Sequence, residues 1–299
     1  MMAYHTTVLL HGGVEALDVK PDGVYVDVTF GGGGHSNLIL SQLSEKGRLI
    51  AFDQDPDALQ NIPNDSRFEL CQANFRFMQN FLQAKGVEKV DGVLADLGVS
   101  GFQFDEAERG FSFRFDAELD MRMNKSQAIS AKALVADLEY AELKKLFKEY
   151  GESSFAASIA KRIVQQREEK AIETTGELVE LIRKAVPERK QKSELAKIFQ
   201  ALRIEVNDEI GVLKDFLLQL PEVLKQEGKA VVISYHSLED RLVKHFFRAG
   251  NFDDKLEKDV FGNVTRPIDP VGKVIVPSPE EIEENPRARS AKMRIGQKR

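Results

Sequence analysis

The chain of 299 residues lacks several features that would place it outside the cytoplasm. Its single cysteine, Cys71, excludes an intramolecular disulfide and fits a reducing compartment. Because Cys71 lies in an apolar run, we expect a buried structural thiol rather than a nucleophile. The N-terminal stretch "MMAYHTTVLLHGG" has no basic region followed by an apolar core, so no signal peptide is predicted. No apolar run approaches the roughly 20 residues that cross a bilayer. The sequence predicts a cytoplasmic protein that does not enter a membrane.

The chain also has no low-complexity tract and no internal repeat, and its net charge is −6. An acidic balance argues against a general nucleic-acid coat but leaves room for a local basic patch. Residues 183–203 contain seven basic side chains against two acidic ones, and residues 285–299 contain six and no acid. Such runs are often only solvated faces, which is the interpretation we favour for 183–203 taken alone.

Four β-like runs occur early in the chain, with helix-compatible segments from Ser36, Pro56 and Arg76 between them. Near-continuous apolar strands separated by helices indicate a parallel sheet covered on both faces, which predicts a doubly wound α/β domain. The runs are "GVYVDVTF" (23–30), "RLIAFDQD" (48–55), "RFELCQANF" (67–75) and "VDGVLADLG" (90–98).

The next convincing strand, "KAVVISYH", comes only at 229–236. The long stretch before it carries helix signals, including Thr174 and Glu177 at capping-box spacing and Phe155, Ile159 and Ile163 on one helical face. We therefore predict an α/β domain formed by 1–105 and 203–299. An inserted all-helical domain would occupy 106–202.

The stretch "VDVTFGGGGHS" (26–36) places four glycines between a strand and a helix, a way to bring backbone close to a nucleotide-like ligand. No lysine follows the glycines, as a phosphate-binding P-loop requires. The dinucleotide fingerprint would need a glycine where Ser36 stands. Asp53 lies at the end of the second strand, about 20 residues beyond the glycines, where an acid commonly binds ribose hydroxyls. It could instead cap the helix at Pro56, although Asp55 suits that position better. The residues alone leave S-adenosylmethionine and a nicotinamide cofactor both open.

Eight motifs, the glycine stretch among them, occur in order along nearly the whole chain and carry a family resemblance. They are "HTTVLL" (5–10), "TFGGGGHS" (29–36), "DLGVS" (96–100), "ERGFSFR" (108–114), "LDMRM" (119–123), "FQALRIEVNDE" (199–209), "YHSLEDRLVK" (235–244) and "NPRARSAKMR" (285–294). With them the chain strongly resembles the bacterial 16S ribosomal RNA cytidine N4-methyltransferases of the MraW/RsmH type. One departure is Gly101-Phe102, where the family tends to have Ser followed by a variable residue. The resemblance implies a Rossmann-like class I methyltransferase domain that uses S-adenosyl-L-methionine.

The resemblance also implies the cofactor-binding residues. Asp53 would bind the ribose, Phe75 would lie against the adenine, and Asp96 and Gln103 would approach the methionine end or the adenine edge. The cofactor loop would be lined by Gly33, Gly34 and His35. Each has a structural alternative: Phe75 could belong to the core, Gln103 could be a surface amide, and His35 could be a polar group at a helix start.

The catalytic residue stays open, because the Pro-Pro-aromatic element of amino-methyltransferases is missing after Asp96. Asp96 is the nearest candidate for the acceptor of the target amine, with Ser100 and the backbone carbonyls of 97–99 as rivals, and Asp96 could instead simply hold the cofactor. His236 could touch the substrate, or Ser237 with Asp240 could cap the following helix. The other predicted substrate-binding residues are Arg241, Arg287 and Arg289, and "SAKMRI" (290–295) could add a strand near the sheet edge. No His/Cys cluster has metal-ligand spacing, so no metal site is predicted.

The partner implied by the resemblance is 16S ribosomal RNA, within the small ribosomal subunit. A homodimer is compatible with the sequence, although no motif establishes it. Two other functions use the same features: a nicotinamide-dependent oxidoreductase, and a non-catalytic RNA-binding assembly factor in which the helical insert is the active part.

Overall fold

The computed structural model describes residues 7–99 and 101–299, and of Gly101 and Phe102 only the backbone. The chain divides into two compact units. One contains the described residues up to Gly98 together with Ile210–Arg299, and the other is Val99–Glu209. The division thus falls at 98/99 and 209/210, whereas the sequence placed the domain boundaries at 105/106 and 202/203. No helix in the described part of the chain is long and apolar enough to cross a membrane.

The first unit is built on a seven-stranded sheet with the order β3-β2-β1-β4-β5-β7-β6. Strands β1 to β5 are parallel, β7 runs antiparallel to β5, and β6 runs antiparallel to β7. The strands are β1 (Val24–Asp27), β2 (Arg48–Asp53), β3 (Phe68–Gln72), β4 (Val90–Asp96), β5 (Leu224–Ser234), β6 (Ile268–Ile275) and β7 (Lys292–Lys298).

Strands β1 to β4 lie within the runs predicted from the sequence, and β5 overlaps the predicted run 229–236 but begins five residues earlier, at Leu224. The tail segment "SAKMRI" forms β7, next to the sheet edge as predicted, but the edge strand β6 was not predicted. Its sequence "IDPVGKVI" contains Pro270 and Gly272, which weaken a strand pattern. The segment from Pro56 forms a 3-10 helix, Pro56–Asn61, rather than an α-helix.

Helices cover both faces of the sheet. Consecutive residues of a strand point to opposite faces, and Tyr25 and Val26 of β1 belong to two different buried clusters. The helices are α1 (Leu10–Leu17), α2 (Gly34–Gln42), α3 (Met78–Ala84), α10 (Glu209–Val223), α11 (Ser237–Ala249) and α12 (Pro279–Glu284). The cluster around Tyr25 includes residues of α1 and α2, and the cluster around Val26 includes residues of α3, α10 and α11. Cys71 is buried in the second cluster, as predicted.

The second unit is helical. Its helices are α4 (Gly101–Asp105), α5 (Ala131–Asp137), α6 (Tyr140–Glu149), α7 (Ala156–Glu169), α8 (Thr175–Ala185) and α9 (Glu188–Asn207). Ile159 and Ile163 of α7 are fully buried in a core shared with α6, α8 and α9. The predicted capping box opens α8: the Glu177 N–H donates to Thr174 Oγ1 at 3.2 Å, and the Thr174 N–H donates to Glu177 Oε2 at 3.3 Å.

Candidate functional site

The strand order reverses direction at β1, which lies between β2 and β4. In open parallel sheets this switch point forms a crevice at the carboxyl ends of the strands, where ligands bind. Three carboxylates lie at this edge of the sheet, because β1 ends with Asp27, β2 with Asp53 and β4 with Asp96.

Asp27 holds the glycine loop rather than facing a ligand. It is almost fully buried, accepts a hydrogen bond from Ser36 Oγ at 2.7 Å and accepts another from the Thr29 N–H at 3.1 Å. Burial raises the pKa of Asp27, and these hydrogen bonds oppose the rise. Ser36 therefore has a structural role that ties the end of β1 to the start of α2.

The glycines of the loop have different roles. Gly31 and Gly33 have φ angles of 50° and 76°, in the left-handed region that glycine tolerates best. A methyl group on Gly34 would lie 1.9 Å from Thr7 Oγ1, so the chain segment before α1 packs directly on this glycine. A methyl group on Gly32 would meet no atom within 4 Å. The loop thus leaves open space at Gly32 and is packed against the protein at Gly34.

Asp53 is tied to this loop and still has acceptor capacity. Its Oδ2 accepts from the Gly31 N–H at 2.8 Å and its Oδ1 from the Asp55 N–H at 2.8 Å. Each carboxylate oxygen has a further lone pair, and Asp53 is only partly buried. Burial raises the pKa of Asp53 to about 6. Asp55, not Asp53, caps the following 3-10 helix by accepting from the Asp57 N–H at 3.1 Å, as the sequence favoured.

His35 lies beneath the loop. It is 3% exposed, and a methyl group on Gly13 of α1 would lie 3.3 Å from its Nε2. Its Nδ1 is 3.9 Å from Asp96 Oδ2. Because burial lowers the pKa of His35 to about 4, the ring is neutral at pH 7. A position packed against α1 favours the structural alternative for His35, and its contact with a cofactor stays a prediction.

Asp96 makes a specific pair with Tyr235, the residue after β5. Tyr235 Oη donates to Asp96 Oδ1 at 2.7 Å, and the Asp96 N–H donates to Thr29 Oγ1 at 2.6 Å. Burial raises the pKa of Asp96 to about 7, and the bond from Tyr235 opposes that rise. The pKa of Tyr235 lies well above its ordinary value because the hydroxyl is buried beside Asp96, so Tyr235 stays a donor. The sequence assigned no role to Tyr235, and its position at the end of β5 was the available signal.

The remaining predicted cofactor residues lie in different units. Phe75 follows β3, is partly buried and packs edge-to-face on Phe216, with ring centroids 5.5 Å apart. Gln103 is buried on α4 of the helical unit, so it is not the surface amide of the alternative interpretation. Ser100, one of the rival amine acceptors, lies outside the described residues.

His236 caps helix α11. Its Nδ1 accepts from the Glu239 N–H at 3.4 Å, and the His236 N–H donates back to Glu239 Oε2 at 3.3 Å. The proposed capping pair of Ser237 and Asp240 is therefore wrong by one residue, because the helix begins at Ser237 and the cap precedes it. Asp240 instead pairs with Arg294 Nε at 2.7 Å and with Lys292 Nζ at 3.1 Å.

The predicted RNA-binding arginines are exposed. Arg241 lies on α11, and Arg287 and Arg289 lie on a short 3-10 helix, Pro286–Ser290. Ala288 between them is fully buried in the cluster against which Tyr235 packs. Four other basic residues of the tail bond to the protein itself: Lys292, Arg294, Lys298 and Arg299.

A model of the MraW methylase family matches residues 2–299. Three similar proteins are each named "Ribosomal RNA small subunit methyltransferase H". The one from Christiangramia forsetii is 53% identical over 298 residues, covering 100% of this chain and 99% of that protein. The one from Flavobacterium johnsoniae is 54% identical over 297 residues, covering 99% and 98%. The one from Bacteroides thetaiotaomicron is 52% identical over 299 residues, covering 100% and 98%.

The chain belongs to the MraW methylase family. Membership confirms the resemblance predicted from the sequence. It also confirms the class I methyltransferase fold, the assignment as a methyltransferase and S-adenosylmethionine as the cofactor.

The residues at the switch point fit that cofactor. Asp53 has acceptor capacity for ribose hydroxyls, and the loop exposes the face of Gly32 beside it. The loop also lacks a lysine that would bind phosphates, which S-adenosylmethionine does not carry. Asp53 and the glycine loop would therefore hold the nucleoside part of the cofactor.

Proposed function

We propose that this protein transfers a methyl group from S-adenosylmethionine to the exocyclic N4 of a cytidine in small-subunit (16S) ribosomal RNA. The observation that carries the proposal is the similarity to proteins named "Ribosomal RNA small subunit methyltransferase H", with about half of the residues identical over the full length. At the switch point, Asp53 would bind the ribose of the cofactor, and Asp96 would accept a hydrogen bond from the target amine.

The bound cofactor supplies a methyl group already activated on a sulfonium. The protein must then orient an amine whose lone pair is delocalised into the cytosine ring. An acceptor that holds an N4 hydrogen would orient the lone pair and accommodate the proton. We infer that Asp96 is this acceptor, because Tyr235 occupies its Oδ1 and fixes the carboxylate. The backbone carbonyls of 97–99 are the alternative.

The substrate must be unpaired at the target base, since N4 lies on the Watson–Crick edge. We propose that Arg287 and Arg289 hold the RNA backbone near the α/β unit, and that the helical unit recognises the RNA around the target. Arginine suits this task because its guanidinium can bind a phosphate through two hydrogen bonds.

The reaction would take place in the cytoplasm, on RNA within the small ribosomal subunit. Light scattering of the purified protein would distinguish a monomer from the homodimer with which the sequence is compatible.

Two measurements on the purified protein test the proposal. Calorimetry with S-adenosylmethionine, S-adenosylhomocysteine and NAD should show binding of the first two, and tight binding of NAD alone would overturn the proposal. Incubation with labelled S-adenosylmethionine and ribosomal substrate should yield N4-methylcytidine on nucleoside analysis. RNA binding without any methyl incorporation would favour the non-catalytic assembly factor.

A further inference from the structure

We propose that one corner of the helical unit binds the phosphate backbone of the RNA. This corner, the α8–α9 corner, is defined by Lys184, Arg189, Lys190 and Lys192. The inference rests on the proposed function, since it assumes an RNA substrate, and it names the surface that would hold that RNA.

The structure separates the seven basic residues of 183–203 into two groups. Three of them form ion pairs: Arg183 with Glu180 at 2.8 Å, Lys197 with Glu194 at 3.1 Å and Arg203 with Glu209 at 2.7 Å. The four residues of the corner are exposed, and within the described part of the chain none of them has an ion pair or side-chain hydrogen bond. The basic run is therefore not a uniform solvated face, because its unpaired cations all lie within the nine residues 184–192.

The backbone that carries these cations is held in place. Gln191 Nε2 donates to the carbonyl of Arg183 at 3.0 Å and to that of Val186 at 3.3 Å, which closes the end of α8 onto the start of α9. Val186 and Leu195 are buried in the core of the unit. A ligand at the corner would have to order only the side chains.

The stability of the fold does not explain the cations on α9. Arg189, Lys190 and Lys192 lie in the first turns of that helix, with Glu188 as the one acid there. The N-terminal end of a helix carries a partial positive charge, so cations there are disfavoured and also repel one another. In a chain of net charge −6 this arrangement maintains a concentrated positive field.

A polyanion is the ligand that such a field attracts. Lysine and arginine side chains that neutralise phosphates release counterions, which gives nucleic-acid binding a strong salt dependence without sequence recognition. The corner would therefore fix the position of the RNA and would not select the cytidine. Selection of the target cytidine would remain with the α/β unit.

The test compares two triple variants that each remove three exposed cations from the same unit. The corner variant is R189Q/K190Q/K192Q, and the control on α6 is K144Q/K145Q/K148Q. The probe is a small-subunit ribosomal RNA fragment, titrated at several KCl concentrations. Calorimetry with S-adenosylmethionine and thermal melting accompany each titration.

We expect the corner variant to bind the fragment at least about tenfold more weakly near 100 mM salt. Each lost contact with a single-strand phosphate reduces the magnitude of the slope of log K against log salt by roughly 0.7. The loss of three contacts should therefore reduce it by about 2. The control should stay within about twofold of wild type, and the cofactor affinity of both should be unchanged. The double variant K190Q/K192Q should show the same direction with a smaller loss, which keeps the test valid if the triple variant melts early.

Equal effects of the corner and control variants would overturn the inference, as would an unchanged salt slope in the corner variant. Failure of the proposed function would give a result that differs from failure of this inference. Wild-type protein that binds the fragment through the corner but transfers no methyl group to the small ribosomal subunit would refute the methyltransferase proposal and leave the inference about the corner unaffected.

Discussion

Tyr235 and Asp96 are 139 residues apart in the chain and share a hydrogen bond of 2.7 Å at the carboxyl edge of the sheet. The pairing of β4 with β5, in which Asp96 is opposite Ile233, brings them together. The bond occupies Oδ1 of Asp96, which fixes the carboxylate and stabilises its ionised form.

Replacing Tyr235 with Phe should change the pH dependence of methyl transfer. The hydroxyl lowers the pKa of Asp96, so its removal should raise that pKa further, by about one unit if the bond contributes about 1.4 kcal/mol. The acidic limb of kcat/KM, expected near pH 7, should move to higher pH. Tyr25→Phe is the control, because it removes the hydrogen bond that Tyr25 Oη accepts from the Lys20 N–H, away from the site. An unchanged limb in Tyr235→Phe would show that the ionisation of Asp96 does not control the rate.

Replacing Asp96 with Asn should make stability less dependent on pH. Burial raises the pKa of Asp96 to about 7 in the folded protein, against about 3.8 when unfolded, so the folded state binds the extra proton between these values. The free energy of unfolding of the wild type therefore falls as pH rises from about 3.8 to about 7. Asn cannot titrate, so the melting temperature of Asp96→Asn relative to wild type should rise from pH 5 to pH 8. A constant difference across this range would contradict a buried titrating carboxyl.

Replacing Asp53 with Ala should weaken S-adenosylmethionine binding by about 1.5–3 kcal/mol, the cost of a lost charge-assisted hydrogen bond. The fold should survive, since Asp53 is a strand-end residue with partial exposure. In the wild type, affinity should fall as pH drops below 6, because ribose hydroxyls bond best to the ionised carboxylate and its pKa is about 6.

Calorimetry at pH 5.5 and pH 8 measures both effects, with Asp57→Ala as the nearby control. Unchanged affinity in a folded Asp53→Ala protein would mean that the glycine loop does not hold the cofactor.

Replacing both Arg287 and Arg289 with Ala should abolish RNA methylation and leave the affinity for S-adenosylmethionine almost intact. Residual RNA binding should show a weaker salt dependence, as expected for lost phosphate contacts. Arg294→Ala is the contrast, because it breaks an ion pair with Asp240 and should lower the melting temperature. Equal loss of cofactor binding and methylation in the double variant would assign those arginines to the fold.

The sequence predicted the features that depend on local pattern. Apolar runs located the five parallel strands, Thr174 and Glu177 located a helix start, and the order of Asp53 and Asp55 separated the ligand candidate from the cap. Each of these signals lies within a few residues of the structure that it specifies.

The features that escaped prediction depend on distant or unusual pairings. The edge strand β6 has a weak sequence pattern because it contains Pro270 and Gly272, and Gly272 adopts a φ of 67° within it. Histidine is not among the favoured N-cap residues, whereas serine is, so the residue types point to Ser237 and not to His236 as the cap. The partner of Asp96 could not be found, since the pairing of two strands far apart in the chain creates the contact with Tyr235.

Mass-spectrometric mapping of small-subunit ribosomal RNA tests the central claim most directly. RNA would be compared from cells with and without this protein, and from cells without it that are supplied with wild type or the Asp53→Ala variant. The account predicts that one N4-methylcytidine disappears without the protein, returns with wild type and returns poorly with Asp53→Ala. An identical methylation map in all four samples would contradict it.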